Sequence, residues 1–410
     1  MPNQELLQKY ARLVVRVGAN VRPGQVMVVE SPVESAVFAR MVMEEGYAAG
    51  AGDVILRYGD QAAKRLRLRH TAEERLLRIP DFVTRPPVHY GEEGACFVHI
   101  VGEDPDAYAG LDPQKTGRVL NAEKLARAPF YDLIDKEQNQ WTVVGAPTDR
   151  WARKVFPRLG EDEALEKLWE AIFQVMRLGE NDPVAAWREH NARLAGRCRQ
   201  LNESGVRTLR LRSGLGTDLT LDLAEDYLWA GGGDRLTDGH PFQANMPTEE
   251  VFTMPHKDRA EGRVVSSMPL NYQGTLIRDF SFTFHEGKVV DFDAREGREA
   301  LELMLEADAG CRRLGEVALV PYDSPIRRTG VLFYETLYDE NASCHLALGS
   351  AYAANMRGSQ ELTREERVAK GCNESASHVD FMFGTADLSV VGVREDGTEL
   401  EIFRDGHWAL

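Results

Sequence analysis

What most limits the fold of this chain is a change in hydrophobic period part-way along it. Up to about residue 206, short apolar runs alternate with stretches of helical spacing. The runs are Val26-Met27-Val28-Val29, Val54-Ile55-Leu56, Cys96 to Val101 and Trp141-Thr142-Val143-Val144, each separated by enough chain for a helix. Asn3 suits the N-cap of a helix carrying Leu6, Leu7, Tyr10, Leu13 and Val14, and Glu34 to Tyr47 places Val37, Phe38, Met41 and Val42 on one stripe. Strand and helix in alternation predict an α/β domain with a mostly parallel sheet. Beyond residue 206 the period falls to two. Leu209 to Asp222 and Phe280 to Phe292 each read as a hairpin around a glycine turn. A helix with Leu301, Met304, Leu305, Asp308 and Cys311 at spacings of three and four is predicted to run on to a stop at Gly315. Strands are expected at Glu316 to Val320, Val331 to Tyr334, Asp380 to Phe383 and Leu388 to Val393. The expected organisation is an α/β domain over 1–206 and a β-rich α+β domain over 207–410.

Composition narrows the function. Against 49 Lys and Arg stand 65 Asp and Glu, a formal charge of −16 over 410 residues. A surface that acidic opposes nucleic acid and anionic lipid, so neither is an expected partner. No run approaches the about 18 apolar residues of a membrane span. The start, Met1-Pro2-Asn3-Gln4-Glu5, enters a helical pattern with no basic and then apolar leader. Its five cysteines are scattered, with no CxxC pair, which fits a reducing cytoplasm. No strand is followed by G-x-G-x-x-G, and Gly231-Gly232-Gly233 reads as a turn.

Chemistry is concentrated in the second half. In Ser377-His378-Val379-Asp380, residues two apart on a strand share a face, so His378 and Asp380 can reach one point and bind a divalent metal. The same pattern also occurs as a strand end with a solvated Asp. His345 lies among Ala342, Ser343, Cys344, Ala347 and Gly349, small residues that admit a crowded ligand site or a tight turn; Cys344 reads as packing. Glu316 stands at the mouth of the apolar strand Val317 to Val320. In Thr248-Glu249-Glu250-Val251 adjacent carboxylates face opposite ways, so one can meet an ion while the other acts on a proton. Two Glu, two His and one Asp, with one carboxylate and one water shared, suffice for two four-coordinate ions about 3.5–4 Å apart, the arrangement of metal-assisted hydrolysis. Tyr352 is spaced to donate to an oxyanion from two helical turns away or across a loop. A metal-free glycosidase-like acid and nucleophile pair drawn from Glu249, Glu250 and Glu316, and a non-catalytic small-ligand binding protein, are the competing readings.

Four motifs carry a resemblance: Thr248-Glu249-Glu250-Val251-Phe252-Thr253, Leu314 to Val320, Tyr338 to Gly349 and Ser377 to Met382. Together they closely resemble, in order, the thermophilic metallo-aminopeptidase family of aminopeptidases T and S. The resemblance implies that Glu250, Glu316, His345, His378 and Asp380 hold two divalent ions, zinc or cobalt ahead of magnesium or manganese. It implies Tyr352 as a catalytic side chain, release of amino-terminal residues from peptides with a free amino end, and a homodimer. Glu249 as general base is inferred from its neighbour's role.

Overall fold

In the computed structural model, which describes residues 3–272 and 274–410, the Asn3 side chain accepts the backbone N–H groups of Glu5 and Leu6 and starts the Gln4–Leu13 helix. The β-branched runs form the strands Val26–Pro32, Asp53–Gly59, Cys96–Val101 and Trp141–Gly145. All four are parallel, in the order Asp53–Gly59, Val26–Pro32, Cys96–Val101, Trp141–Gly145, and Asn245–Met246 adds a fifth parallel strand at the edge. Val28, Val29, Ile100 and Val144 are buried within this sheet. The chain packs as two compact units, Met1–Glu189 with Gly233–Pro247, and His190–Gly232 with Thr248–Leu410. The excursion of Gly233–Pro247 follows from that fifth strand, whose residues bond to the sheet of the first unit. Among the described residues no helix is long and apolar enough to cross a membrane.

The second unit is antiparallel. Its larger sheet contains the hairpins Val206–Arg212 with Asp218–Leu223 and Thr275–His285 with Lys288–Glu296. A second sheet has four strands in the order Val251–Thr253, Leu314–Leu319, His345–Gly349, His378–Met382. One face of it, with Val251, Val317, Leu319, Leu346, Leu348 and Phe381, enters the core built around Phe280, Phe282 and Phe284. Period-two alternation leaves the other face for polar side chains.

Two local expectations change. The helix after Gly297 spans Arg298–Leu305 and stops there; Asp308 does not continue it but turns its carboxylate onto the N–H groups of Gly310 and Cys311, opening a separate 3-10 turn, Ala309–Arg312. An Asp that captures backbone donors competes with helix propagation. Val331 to Tyr334 is not a strand, because the Phe333 N–H is taken by Asp339 Oδ1 at 2.7 Å rather than by a neighbouring chain.

Candidate metal centre

Register across the four-stranded sheet brings the polar residues into one patch. Glu316 lies opposite Ala347, which lies opposite Asp380, while His345 faces Ala318 and His378 faces Gly349. Directly opposed residues project from the same face. The small Ala347 between Glu316 and Asp380 leaves the room their carboxylates occupy. Glu250 immediately precedes the edge strand, whose Val251 pairs Leu319, and strand alternation puts it on this face too.

One local irregularity makes the arrangement possible. Leu314 pairs Leu348 and Glu316 pairs Ala347, so Gly315 is an extra residue, a bulge. In an unbroken strand Leu314 and Glu316 would share a face; here Leu314 joins the apolar core and Glu316 turns to the polar side. Only glycine fits the position, because a Cβ there would lie 2.4 Å from the carbonyl oxygens of both Gly349 and Ser350.

Each histidine is aimed by a backbone carbonyl of another residue. His345 Nδ1 donates to the Ser343 carbonyl at 3.1 Å, and its Nε2 faces Glu250 Oε2 at 3.1 Å and Glu316 Oε1 at 3.4 Å. His378 Nδ1 donates to the Ser350 carbonyl at 2.7 Å, and its Nε2 faces Asp380 Oδ1 at 3.2 Å and Glu316 Oε2 at 3.6 Å. Two donor groups result, Glu250 with Glu316 and His345, and Glu316 with His378 and Asp380; within each group the ligand atoms lie within 4.8 Å of one another. Glu316 belongs to both, through different oxygens.

Such a set fits divalent ions. With Nδ1 donating to a carbonyl, the Nε2 of a neutral imidazole is a lone pair, and it converges on carboxylate lone pairs with nothing positive between them. Either a proton or a cation must occupy that gap. In the metal-free protein it is a proton: burial disfavours a charged imidazole, yet the Glu250 and Glu316 carboxylates hold the His345 pKa well above its ordinary value. At His378 burial is likewise overcome, by Asp380 and then Glu316, and the pKa rises to about 9. Burial lifts the Glu316 carboxyl, whereas His378 keeps Asp380 below the usual range in spite of burial. Imidazole nitrogen and carboxylate oxygen together suit borderline ions, and a backbone carbonyl that accepts the second ring N–H, as those of Ser343 and Ser350 do, is the habitual outer support of a metal-ligating imidazole.

The remaining expected residues lie nearby in different ways. Tyr352 follows a strand rather than a helix, and it reaches the patch across a loop, its ring 4.7 Å from that of His378 and 6.4 Å from Phe252. Half of its surface is open. Desolvation of the phenol and the carboxylates of Glu316 and Asp380 hold its pKa well above 10, so the hydroxyl stays a donor. Glu249 is buried outside both donor groups; its Oε2 is 3.6 Å from Nε2 of the buried His190, which also donates to the Thr248 carbonyl at 2.8 Å. Cys344 is buried, its thiol exchanging hydrogen bonds with Val320 and pushed up to about 12 by burial.

Sequence reasoning passed over Glu340, Asn341 and His190. Glu340 sits close enough to Asp380, Glu250, His345 and Glu316 to feel their charge, and burial together with those carboxylates raises its own pKa well above the ordinary value. Asn341, fully buried, bonds the Glu249 backbone. Both belong to a 3-10 turn, Glu340–Ala342, which has neither of the periods that mark helix or strand. Their adjacency to the His345 motif was the available signal.

The profile of the thermophilic metalloprotease (M29) family matches residues 3–408. The chain belongs to that family. Among curated relatives, aminopeptidase 2 of Geobacillus stearothermophilus is 43% identical over 404 residues, covering 98% of each chain, and aminopeptidase T of Thermus aquaticus is 42% identical over 406 residues, covering 99% of each. The solved structure of wild-type AmpT from Thermus thermophilus superposes with a TM-score of 0.93 at 41% identity, covering 99% of this chain and 100% of that one. For an M29 metalloprotease, a buried patch of imidazole and carboxylate donors is the chemistry that the family description calls for.

Proposed function

We infer that this M29 protein is a metallo-aminopeptidase, a hydrolase that removes residues from the free amino end of peptides, and that Glu250, Glu316, His345, His378 and Asp380 hold two divalent ions. The observation that carries the two-ion reading is Glu316, whose Oε1 faces one histidine and whose Oε2 faces the other. Glu316 would serve both ions. Ions held there would supply an activated water and Lewis acidity toward the scissile carbonyl. Zinc or cobalt suits the mixed nitrogen and oxygen donors better than magnesium or manganese.

The protein's own groups do the rest. Tyr352 keeps its proton and donates a hydrogen bond to the oxyanion that develops at the attacked carbonyl. Glu340 extends the acidic lining and suits the substrate's α-ammonium group. Delivery of the proton to the leaving amine is assigned to Glu249, with His190 beside it as its exchange partner. The metal-free acid and nucleophile reading would leave the anchored imidazoles without a task, and the family membership speaks against a purely binding role. Five unpaired, buried cysteines accord with the cytoplasmic location proposed, and a homodimer is carried over from the family resemblance.

Elemental analysis of wild type beside Glu316→Gln and His345→Ala, with hydrolysis of a free and an amino-blocked dipeptide, tests this reading. The expected result is up to two ions per wild-type chain, fewer in both variants, and turnover of the free dipeptide alone. Undiminished hydrolysis after exhaustive chelation would overturn it.

A further inference from the structure

Glu250 stands one residue outside its strand, which is only three residues long and lies at the sheet edge. Ladder bonds therefore do not fix its backbone. Asn341 occupies that gap. Its Oδ1 accepts the Glu249 N–H at 2.7 Å, its Nδ2 donates to the Leu337 carbonyl at 3.1 Å and lies 3.4 Å from Glu340 Oε1, and its own carbonyl accepts the Ser324 hydroxyl at 3.0 Å. On the other side of the same segment His190 Nε2 donates to the Thr248 carbonyl. Asn341 is 0% exposed, so an alanine there would remove a buried acceptor from the Glu249 N–H.

We propose that Asn341 is a positioning residue for the metal centre: its carboxamide holds the Glu249 N–H just ahead of the edge strand, sets the direction of the Glu250 carboxylate, and orients Glu340 from the same amide. The assignment rests on the reading of Glu250 as a metal ligand. A single side chain thereby couples the edge of the four-stranded sheet to the turn that leads into His345. Outer partners of this kind cost roughly 10–100-fold in metal affinity when removed.

The test measures metal affinity, by competition with a chromophoric chelator, in the full-length protein and in Asn341→Ala, Asn341→Ser, Glu250→Gln, and Asn341→Ala combined with Glu250→Gln. Asn139, buried in the first unit and donating to the carbonyls of Gly91 and Ala95, supplies the control Asn139→Ala for the general cost of losing a buried amide. Asn341→Ala is expected to bind the weakened ion at least tenfold less tightly, and to add less than twofold once Glu250 is already Gln. Asn139→Ala is expected to melt earlier with unchanged metal affinity. Where Asn341→Ala does not fold, Asn341→Ser decides by the same criterion. Affinity within twofold of wild type in the folded Asn341 variant, or an equal loss with and without the Glu250 carboxylate, overturns the proposal. A wild-type protein that binds no divalent ion would instead sink the reading beneath it.

Discussion

Glu316 is the residue on which the centre turns, because its two oxygens face different histidines. Glu316→Gln removes a charge from both donor groups at once, so both ions should weaken by more than the roughly 10–100-fold that an outer partner costs. His345→Ala and His378→Ala should each weaken one ion more than the other, and stepwise titration with a competing chelator separates these outcomes. Tyr352→Phe makes the opposite prediction. Its hydroxyl keeps its proton and acts as a neutral donor rather than an anionic ligand, so metal content should stay at the wild-type level while kcat falls about 10²–10³-fold, as for loss of one oxyanion donor. Glu249→Gln should also retain its ions and lose kcat, by about 10²-fold or more if it carries the proton. Unchanged kcat in that variant would reduce Glu249 and His190 to packing partners.

At the scale of elements, the bulge at Gly315 decides which side of the sheet Glu316 serves. Gly315→Ala must displace the Gly349 and Ser350 carbonyls, the second of which anchors His378. A cost of about 1–3 kcal/mol is expected from such overpacking, together with weaker metal binding, read from urea denaturation and the same chelator titration. This feature also marks where sequence reasoning stops. Alternation in Ser377-His378-Val379-Asp380 was enough to place two side chains on one face, and the β-branched runs were enough to mark four parallel strands, because both rest on local periodicity. The fifth parallel strand is two residues long and comes from beyond residue 206, with no run to announce it. Helical spacing alone extended the Arg298–Leu305 helix past its end, since Asp308 suits a continuing stripe and a backbone cap equally well in sequence. Glu340 and Asn341 owe their positions to a turn fixed by long-range contacts, including the 92-residue separation between Asn341 and Glu249.

For the molecule as a whole, the centre makes stability depend on pH in a way that reveals what fills it. Without ions, the folded protein gathers protons there: the pKa values of Glu316, Glu340, His345 and His378 all lie above their ordinary values, whereas that of Asp380 lies below. A group whose folded pKa is raised stabilises the fold fully below its unfolded pKa, and that contribution disappears as the pH climbs through the folded value. For His378 the window runs from its ordinary 6.5 to about 9. Asp380 has the opposite sign, but its contribution is complete well below this window and does not change across it. The chelated protein should therefore lose melting temperature steadily between pH 6.5 and 9. Divalent ions replace those protons and bind more tightly as the imidazoles are freed from them, so the metal-loaded protein should hold its melting temperature over the same interval. Calorimetry of both forms at the two ends of the window checks this: the gap between them should widen with pH, and a constant gap would mean that the bound ions do not displace the protons held by these histidines.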